Sequence, residues 1–385
     1  MNLHDFDAIR PYQPEELPAV FDRLLANDGF VDIVRSYYPD VPLEALKQKL
    51  YACPDNLSVQ ITFFAPLLRQ LLAKCSKGCS LDATTITPEA RREGSFTFIS
   101  NHRDIVLDSA FLAVMLIENG FRTTVEIAIG DNLLIYPWIE DLVRVNKSFI
   151  VQRSVSMREM LASSKRMSDY MHFALAEKRE NIWIAQREGR AKDSNDLTQE
   201  SVLKMMAMGG EGNAFERIQA MNLVPLAISY EFDPCDYLKA QEFQQKRDDA
   251  SFKKSPADDL RNMQTGIFGY KGRITYRTAT PVNEWLDELR SLPKAEFFKA
   301  LALRIDRGIH SCYELYPANY IAFDLLHGSQ AESDHYTADD LAAFTAYLDS
   351  RIEMVNLPRK DVAFLRERML TMYANPLINH RKALA

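Results

Sequence analysis

An α/β fold is predicted: a mixed central sheet flanked by helices, with helical extensions at both ends. Three observations carry that prediction. Between about residues 95 and 230, short apolar strand-like runs alternate with helical stretches, as in a sheet with helices on its faces. At 47% apolar and 26% charged residues, the chain has the composition of a folded globular protein. Its 385 residues suffice for two or more domains or one elaborated α/β domain.

Taken in order, residues 1–90 read as an N-terminal helical module. Pro14 opens a first helix with Leu17, Val20, Phe21 and Leu24 on one face. Further helices fit residues 30–38, a stretch beginning at Pro42, and residues 58–74, the last broken by Ser76-Lys77-Gly78. The α/β domain is expected over 91–283. Its strands are read at 96–99, 125–129, 149–152, 182–185 and 224–230, with helices at 106–119, 137–145 and 156–178. Residues 233–271 are rich in Gln, Lys and Asp and read as a surface insertion, with a helix at 237–252. Residues 272–281 alternate like a late strand ending at Pro281. Residues 284–385 read as a C-terminal helical region.

Several function classes are disfavoured by composition. A net charge of −7 argues against a broad nucleic-acid surface, while leaving room for a local basic patch. The polar, acidic start carries no signal-peptide pattern. The longest apolar run, 105–117, is broken by Asp108 and is shorter than the roughly 20 residues that span a bilayer. The five cysteines, Cys53, Cys75, Cys79, Cys235 and Cys312, lack paired metal-ligand spacing. Free thiols in a reducing cytosol, and no metal site, are expected.

Chemistry concentrates at Ser100-Asn101-His102, where a strand ends and two carboxylates, Asp104 and Asp108, follow. An imidazole can take a proton from a hydroxyl near neutral pH. A carboxylate on its other nitrogen fixes the tautomer and stabilises the imidazolium. The competing reading is that His102 only caps the next helix and Asp108 is a solvated helix residue. Three more blocks follow. Gly130 to Pro137 continues through Leu142-Val143-Arg144 to Arg153. Ile182 to Lys192 contains Gln186-Arg187-Glu188-Gly189-Arg190. Leu223-Val224-Pro225 opens the fourth. Arginines that follow successive strands suit an anion, because a guanidinium binds phosphate through paired, charge-assisted hydrogen bonds.

In this order the four blocks resemble the glycerolipid acyltransferases, in particular the glycerol-3-phosphate acyltransferase branch, over about residues 95–281. The family's first motif is a His and an Asp separated by four residues. Here five residues stand between His102 and Asp108, and Asp104 is only two along. Either carboxylate can serve; the small apolar helix start after Asp108 matches the family. In the third block Glu188-Gly189 runs directly into Arg190, without the family's extra residue. The resemblance implies a matching fold and His102 with Asp108 as the catalytic pair. It implies substrate contacts from Arg144, Arg153, Glu188, Gly189, Arg190 and Lys192. It implies acyl-CoA or acyl carrier protein as co-substrate, with no metal or other cofactor. The acceptor would be glycerol 3-phosphate or a lysophospholipid, in phospholipid biosynthesis. A cytoplasmic protein, peripheral on the inner face of the cell membrane, is expected, with amphipathic N-terminal helices as one means of attachment. Two other functions fit the same residues: a non-catalytic lipid- or acyl-carrier-binding protein, and an acyl thioesterase.

Overall fold

Short runs rich in β-branched and aromatic residues become the strands of a seven-stranded sheet in a computed structural model that describes residues 2–37, 41–134, 136–152 and 157–385. The strands are β1 (Gly78–Asp82), β2 (Thr97–Ser100), β3 (Val125–Gly130), β4 (Ser148–Val151), β5 (Asn181–Ala185), β6 (Leu223–Tyr230) and β7 (Arg273–Thr278). Their order across the sheet is β1-β7-β6-β2-β5-β3-β4. All neighbours are parallel except β6 and β7, so the sheet is mixed. The central position of β2 follows from its residues: Thr97 to Ser100 are all buried, as expected for a strand covered on both faces.

Parallel pairing has a direct consequence for function. The chain leaves β2, β5 and β6 at the same edge of the sheet, so the loops after them meet there. Because β7 runs the other way, its entry at Lys271 and Gly272 lies at that edge too. One face of the sheet is covered by Met157–Ala176 and Lys294–Ser311. The other is covered by Leu107–Glu118 and Ala65–Cys75. Residues 107–116 are buried all round, which explains why Leu107–Glu118 is apolar on every side rather than on one stripe. Phe111, Leu112 and Leu116 are fully buried. At about 1.5–3 kcal/mol for each such side chain, they fix the helix whose first turn holds Asp108.

Most elements fall where the periodicity puts them; the differences have physical causes. Residues 78–82 were expected to close a helical module, yet they form β1 beside β7. Gly, Cys, Ser, Leu and Asp have little intrinsic strand preference, and this edge strand exists because β7 offers it a partner. The module boundary at 90 therefore cuts a strand from the sheet. The first residues also join the main body. Phe6 and Ile9 lie in the core beneath β4 and β5, and Ile150 N donates to Ile9 O at 2.9 Å. The fourth N-terminal helix runs over Asn56–Val59 and Ala65–Cys75 through a π-helical turn, Gln60–Phe64. The expected helix end at Tyr38 and helix start at Ser156 lie outside the described residues.

The largest correction concerns residues 233–271. They form two helices, Asp236–Asp248 and Pro256–Phe268, and the first is no surface excursion. Tyr237, Leu238 and Ala240 share a core with the C-terminal helices Pro317–His327, Ala338–Glu353 and Val362–Leu384. The polar residues that suggested exposure are partnered inside: Asp236 takes hydrogen bonds from Tyr347, Tyr373 and Arg351.

Candidate active site

The site begins with Asn101, fully buried at the tip of β2. Its side chain takes the place of a backbone ladder pair, donating to Ile228 O and accepting from Ile228 N, each at 2.8 Å. On the other side Gln186 N donates to Ser100 O at 2.8 Å. The strand is thus tied to both neighbours up to the residue before His102, and the chain then turns away. His102 remains partly accessible, its side chain 14% exposed. Trp183 packs against it edge-on, with ring centroids 5.4 Å apart.

Asp108, not Asp104, is the carboxylate on the imidazole. Its Oδ2 lies 2.8 Å from His102 Nδ1 and also accepts from Arg103 N at 2.6 Å and Asp104 N at 3.0 Å. Two backbone amides hold the carboxylate in place, and its bond to Nδ1 leaves Nε2 as the nitrogen available to a substrate. The side chain is fully buried, so the reading of Asp108 as a solvated helix residue fails. Tyr276 of β7 donates to the Asp108 carbonyl at 2.9 Å and braces the same turn.

Asp104 has another task. Its Oδ1 accepts from Val106 N and Leu107 N, both at 2.9 Å, capping the turn that leads into the helix. Burial, and then the Asp108 charge, push its pKa above the ordinary carboxylate value. The five-residue spacing is therefore a loop closed by Asp104 around the amides that grip Asp108. Gly266 of Pro256–Phe268 seals this loop: a Cβ there would stand 2.3 Å from Asp104 Oδ2. Gly266→Ala is expected to destabilise the protein by about 1–3 kcal/mol, the usual cost of overpacking, and to lower turnover with it. Thermal unfolding and initial rates read this; an unchanged Tm with unchanged turnover would release Gly266 from that role.

The arginine and lysine candidates divide. Arg190 is half-buried in the loop after β5. It stands close enough to Asp233 to help Lys239 hold that buried carboxyl below its usual range, against the upward push of burial. Among the described residues neither Arg190 nor Arg187 makes a hydrogen bond or an ion pair. Glu188 and Gly189 are exposed between them. Gly189 has φ +64°, a backbone state that suits glycine, and Glu188 N donates to Gln199 Oε1 at 2.8 Å. Lys192 is committed elsewhere, paired with Glu242 of Asp236–Asp248. Arg153 lies outside the described residues.

Arg144 is a correction. Its guanidinium donates to Arg10 O and Asp7 O at 2.9 and 2.8 Å and stacks over Tyr12, 4.2 Å from the ring centroid. It clamps the N-terminal segment from the last turn of the helix Pro137–Val145, so the substrate contact that the Leu142-Val143-Arg144 resemblance implied is not made by a free guanidinium.

Arg103 was overlooked as a functional group, though it adjoins His102. It is buried, donates to Ser194 Oγ at 2.5 Å and pairs with Asp196, tying the loop that carries Arg187 and Arg190 to the imidazole's own turn. His310 and His172 are structural, their Nε2 atoms facing Asp196 O and Met206 O. Trp183 does more than fill the core, since it bounds His102. An apolar groove between Gln60–Phe64, Ala65–Cys75 and Leu107–Glu118 is lined by Ala110, Ala113, Val114 and Ile117. At 3.6 residues per turn these lie roughly 140–240° around the helix from Asp108, so the groove faces away from His102. No group of three or more metal-ligating side chains is assembled among the described residues.

Residues 84–229 match the family model described as Acyltransferase. No curated protein sequence matches the chain. Among solved structures it is similar to the crystal structure of the 1-acyl-sn-glycerophosphate (LPA) acyltransferase PlsC from Thermotoga maritima. The likeness is at 12% identity and a TM-score of 0.38, covering 77% of this chain and 94% of that one.

Proposed function

We propose that this protein moves a fatty acyl group from acyl-CoA or acyl carrier protein to a hydroxyl of glycerol 3-phosphate or a lysophospholipid, in phospholipid synthesis. One observation carries the reading. A partly exposed imidazole, oriented by a carboxylate that two backbone amides grip, shares a sheet edge with two guanidinium groups that make no hydrogen bond or ion pair among the described residues. His102 Nε2 takes the proton of the acceptor hydroxyl as its oxygen attacks the thioester carbonyl. Asp108 stabilises the imidazolium that forms. The tetrahedral intermediate collapses with cleavage of the C–S bond, and the departing sulfur receives the proton back from Nε2. Ester and free thiol are the products, and no redox or metal chemistry enters.

Arg190, with Arg187, supplies charge for the acceptor's phosphate; Arg153 completes the set in this reading. Arg190→Ala is expected to raise the acceptor KM about tenfold, the loss of roughly 1.4 kcal/mol of a charge-assisted contact, with little change in donor KM. An unchanged acceptor dependence would move phosphate recognition elsewhere. No described helix is long and apolar enough to cross a membrane, and we place the protein at the inner membrane surface, where its acceptors and products reside.

The test is purified protein with radiolabelled acyl-CoA, with and without glycerol 3-phosphate or lysophosphatidate. Labelled lipid that depends on the acceptor supports the proposal. Free fatty acid regardless of acceptor means a thioesterase. Saturable binding without turnover means a binding protein.

A further inference from the structure

Met157–Ala176 is longer than the sheet it covers. Its 20 residues make about 30 Å of helix, whereas the five of β5, on which it packs, span about 17 Å. The excess is all at one end. Met167, Tyr170, Met171 and Ala174 lie in the core against the sheet, while residues 159–162 are exposed. Counted back in helical steps, the buried stripe of Met171 and Met167 continues through Ser164 to Leu161 and Met160. There it is uncovered. Leu161, 67% exposed, is the most exposed large apolar side chain among the described residues, and Met160 is exposed beside it. A stripe of this kind ordinarily faces a core; here its first turns face outward.

Because the helix follows β4, which runs parallel to β3 and so to β5 and β2, its free end stands at the edge that carries His102. The same edge exposes Tyr136 after β3, Leu197 after β5, and Phe268 and Tyr270 ahead of β7. The loops of the opposite edge, 94–96, 119–124, 177–180 and 221–222, expose no large apolar side chain. Charge is distributed in the same sense. Residues 157–166 hold Arg158, Lys165 and Arg166 against Glu159 alone, in a chain of net charge −7, and Lys165 and Arg166 are exposed. The amphipathic N-terminal helix expected to attach the protein turns inward instead: Leu17, Val20, Phe21 and Leu24 share a buried core with Val145.

We propose that the first turns of Met157–Ala176 insert into an anionic lipid surface, so that the sheet edge with His102 faces the bilayer. Apolar side chains beside cations suit such a surface, where acyl chains receive the first and headgroup phosphates the second. A second copy of the chain would need one contiguous complementary patch, and these side chains come from separate segments. The inference rests on the membrane placement above and names the surface that makes it.

The test is cosedimentation of the full chain with phosphatidylcholine vesicles, with and without phosphatidylglycerol. The wild type should bind the anionic vesicles. Leu161→Glu should weaken that binding at least about tenfold, since it withdraws a leucine from the acyl region and repels the phosphates. Leu303→Glu, at a similarly exposed leucine of Lys294–Ser311, should bind like the wild type. Leu161→Trp reads the insertion directly: its emission should move to the blue on anionic vesicles and be quenched by lipids with brominated acyl chains. A wild type that stays in solution, or equal binding by Leu161→Glu, overturns the inference. Self-association that Leu161→Glu abolishes, without vesicle binding, assigns the helix end to a second copy and overturns it too. Acyl transfer to glycerol 3-phosphate from a water-soluble short-chain acyl-CoA, without vesicles, separates this surface from the functional reading, and Leu161→Glu should keep the wild-type rate there. Vesicle binding that depends on Leu161 without any transfer fells the activity reading alone; transfer without vesicle binding fells the surface alone.

Discussion

Replacing His102 with alanine is expected to lower kcat for acyl transfer by about 10²–10⁴-fold, the usual worth of a positioned general base, while the protein stays folded. The fold should survive because the ring contributes little to the core. It stands at the sheet edge, partly exposed, and packs edge-on against Trp183. Its loss frees a single bond to Asp108 Oδ2, which keeps the two backbone amides of Arg103 and Asp104. Thiol release and labelled ester are measured together, and circular dichroism checks folding. Wild-type rates in the variant would remove the imidazole from the reaction, and the functional proposal would fall with it.

Asp108→Asn is expected to lower kcat by about 10–10³-fold, the reach of a carboxylate that favours the charged form of its neighbour by about one to three pKa units. The reason is charge. One oxygen, Oδ2, faces Nδ1 and both amides, so an asparagine with its carbonyl there keeps the turn and the imidazole tautomer and removes only the negative charge. The imidazolium formed as Nε2 takes the acceptor's proton then lacks its counter-charge. The opposite rotamer would set NH₂ against two amide N–H groups. Asp108→Ala is the less informative change, because it strands two buried amides and confuses chemistry with stability. If Asp108→Asn turns over like the wild type while unfolding at the same temperature, the carboxylate's charge plays no part in turnover. Asp104→Asn separates the two acids: its oxygen still caps Val106 N and Leu107 N, and kcat should stay within a few-fold of the wild type.

The two carboxylates show how far residues alone could be read. The pattern His102, Asp104, Asp108 located the chemistry, because a strand run ending in Asn-His is visible in one dimension. Which acid meets the ring depends on the direction of a loop. That direction is set by Asn101 bonding across to β6 and by Gly266 arriving from more than 150 residues away. The segment carrying Gly266 was read as a polar surface insertion, since periodicity cannot reveal that Asp236, Lys239 and Glu242 find partners inside. Arg144 and Arg190 show the same limit. Both follow apolar runs and both suit a phosphate by type, yet one is consumed by carbonyls of the N-terminal segment and the other is left unpaired.

Local sequence decided what needs only neighbours along the chain: the alternation of strand and helix, the all-apolar helix after Asp108, and the place where an imidazole follows a strand. Tertiary structure decided what needs partners from afar: β1, the choice of Asp108, the burial of the helices over 236–268, and which cations remain free. The physical reason is that propensity and periodicity are properties of short segments. Hydrogen-bond satisfaction and charge pairing are settled only when distant segments compete for the same donors and acceptors.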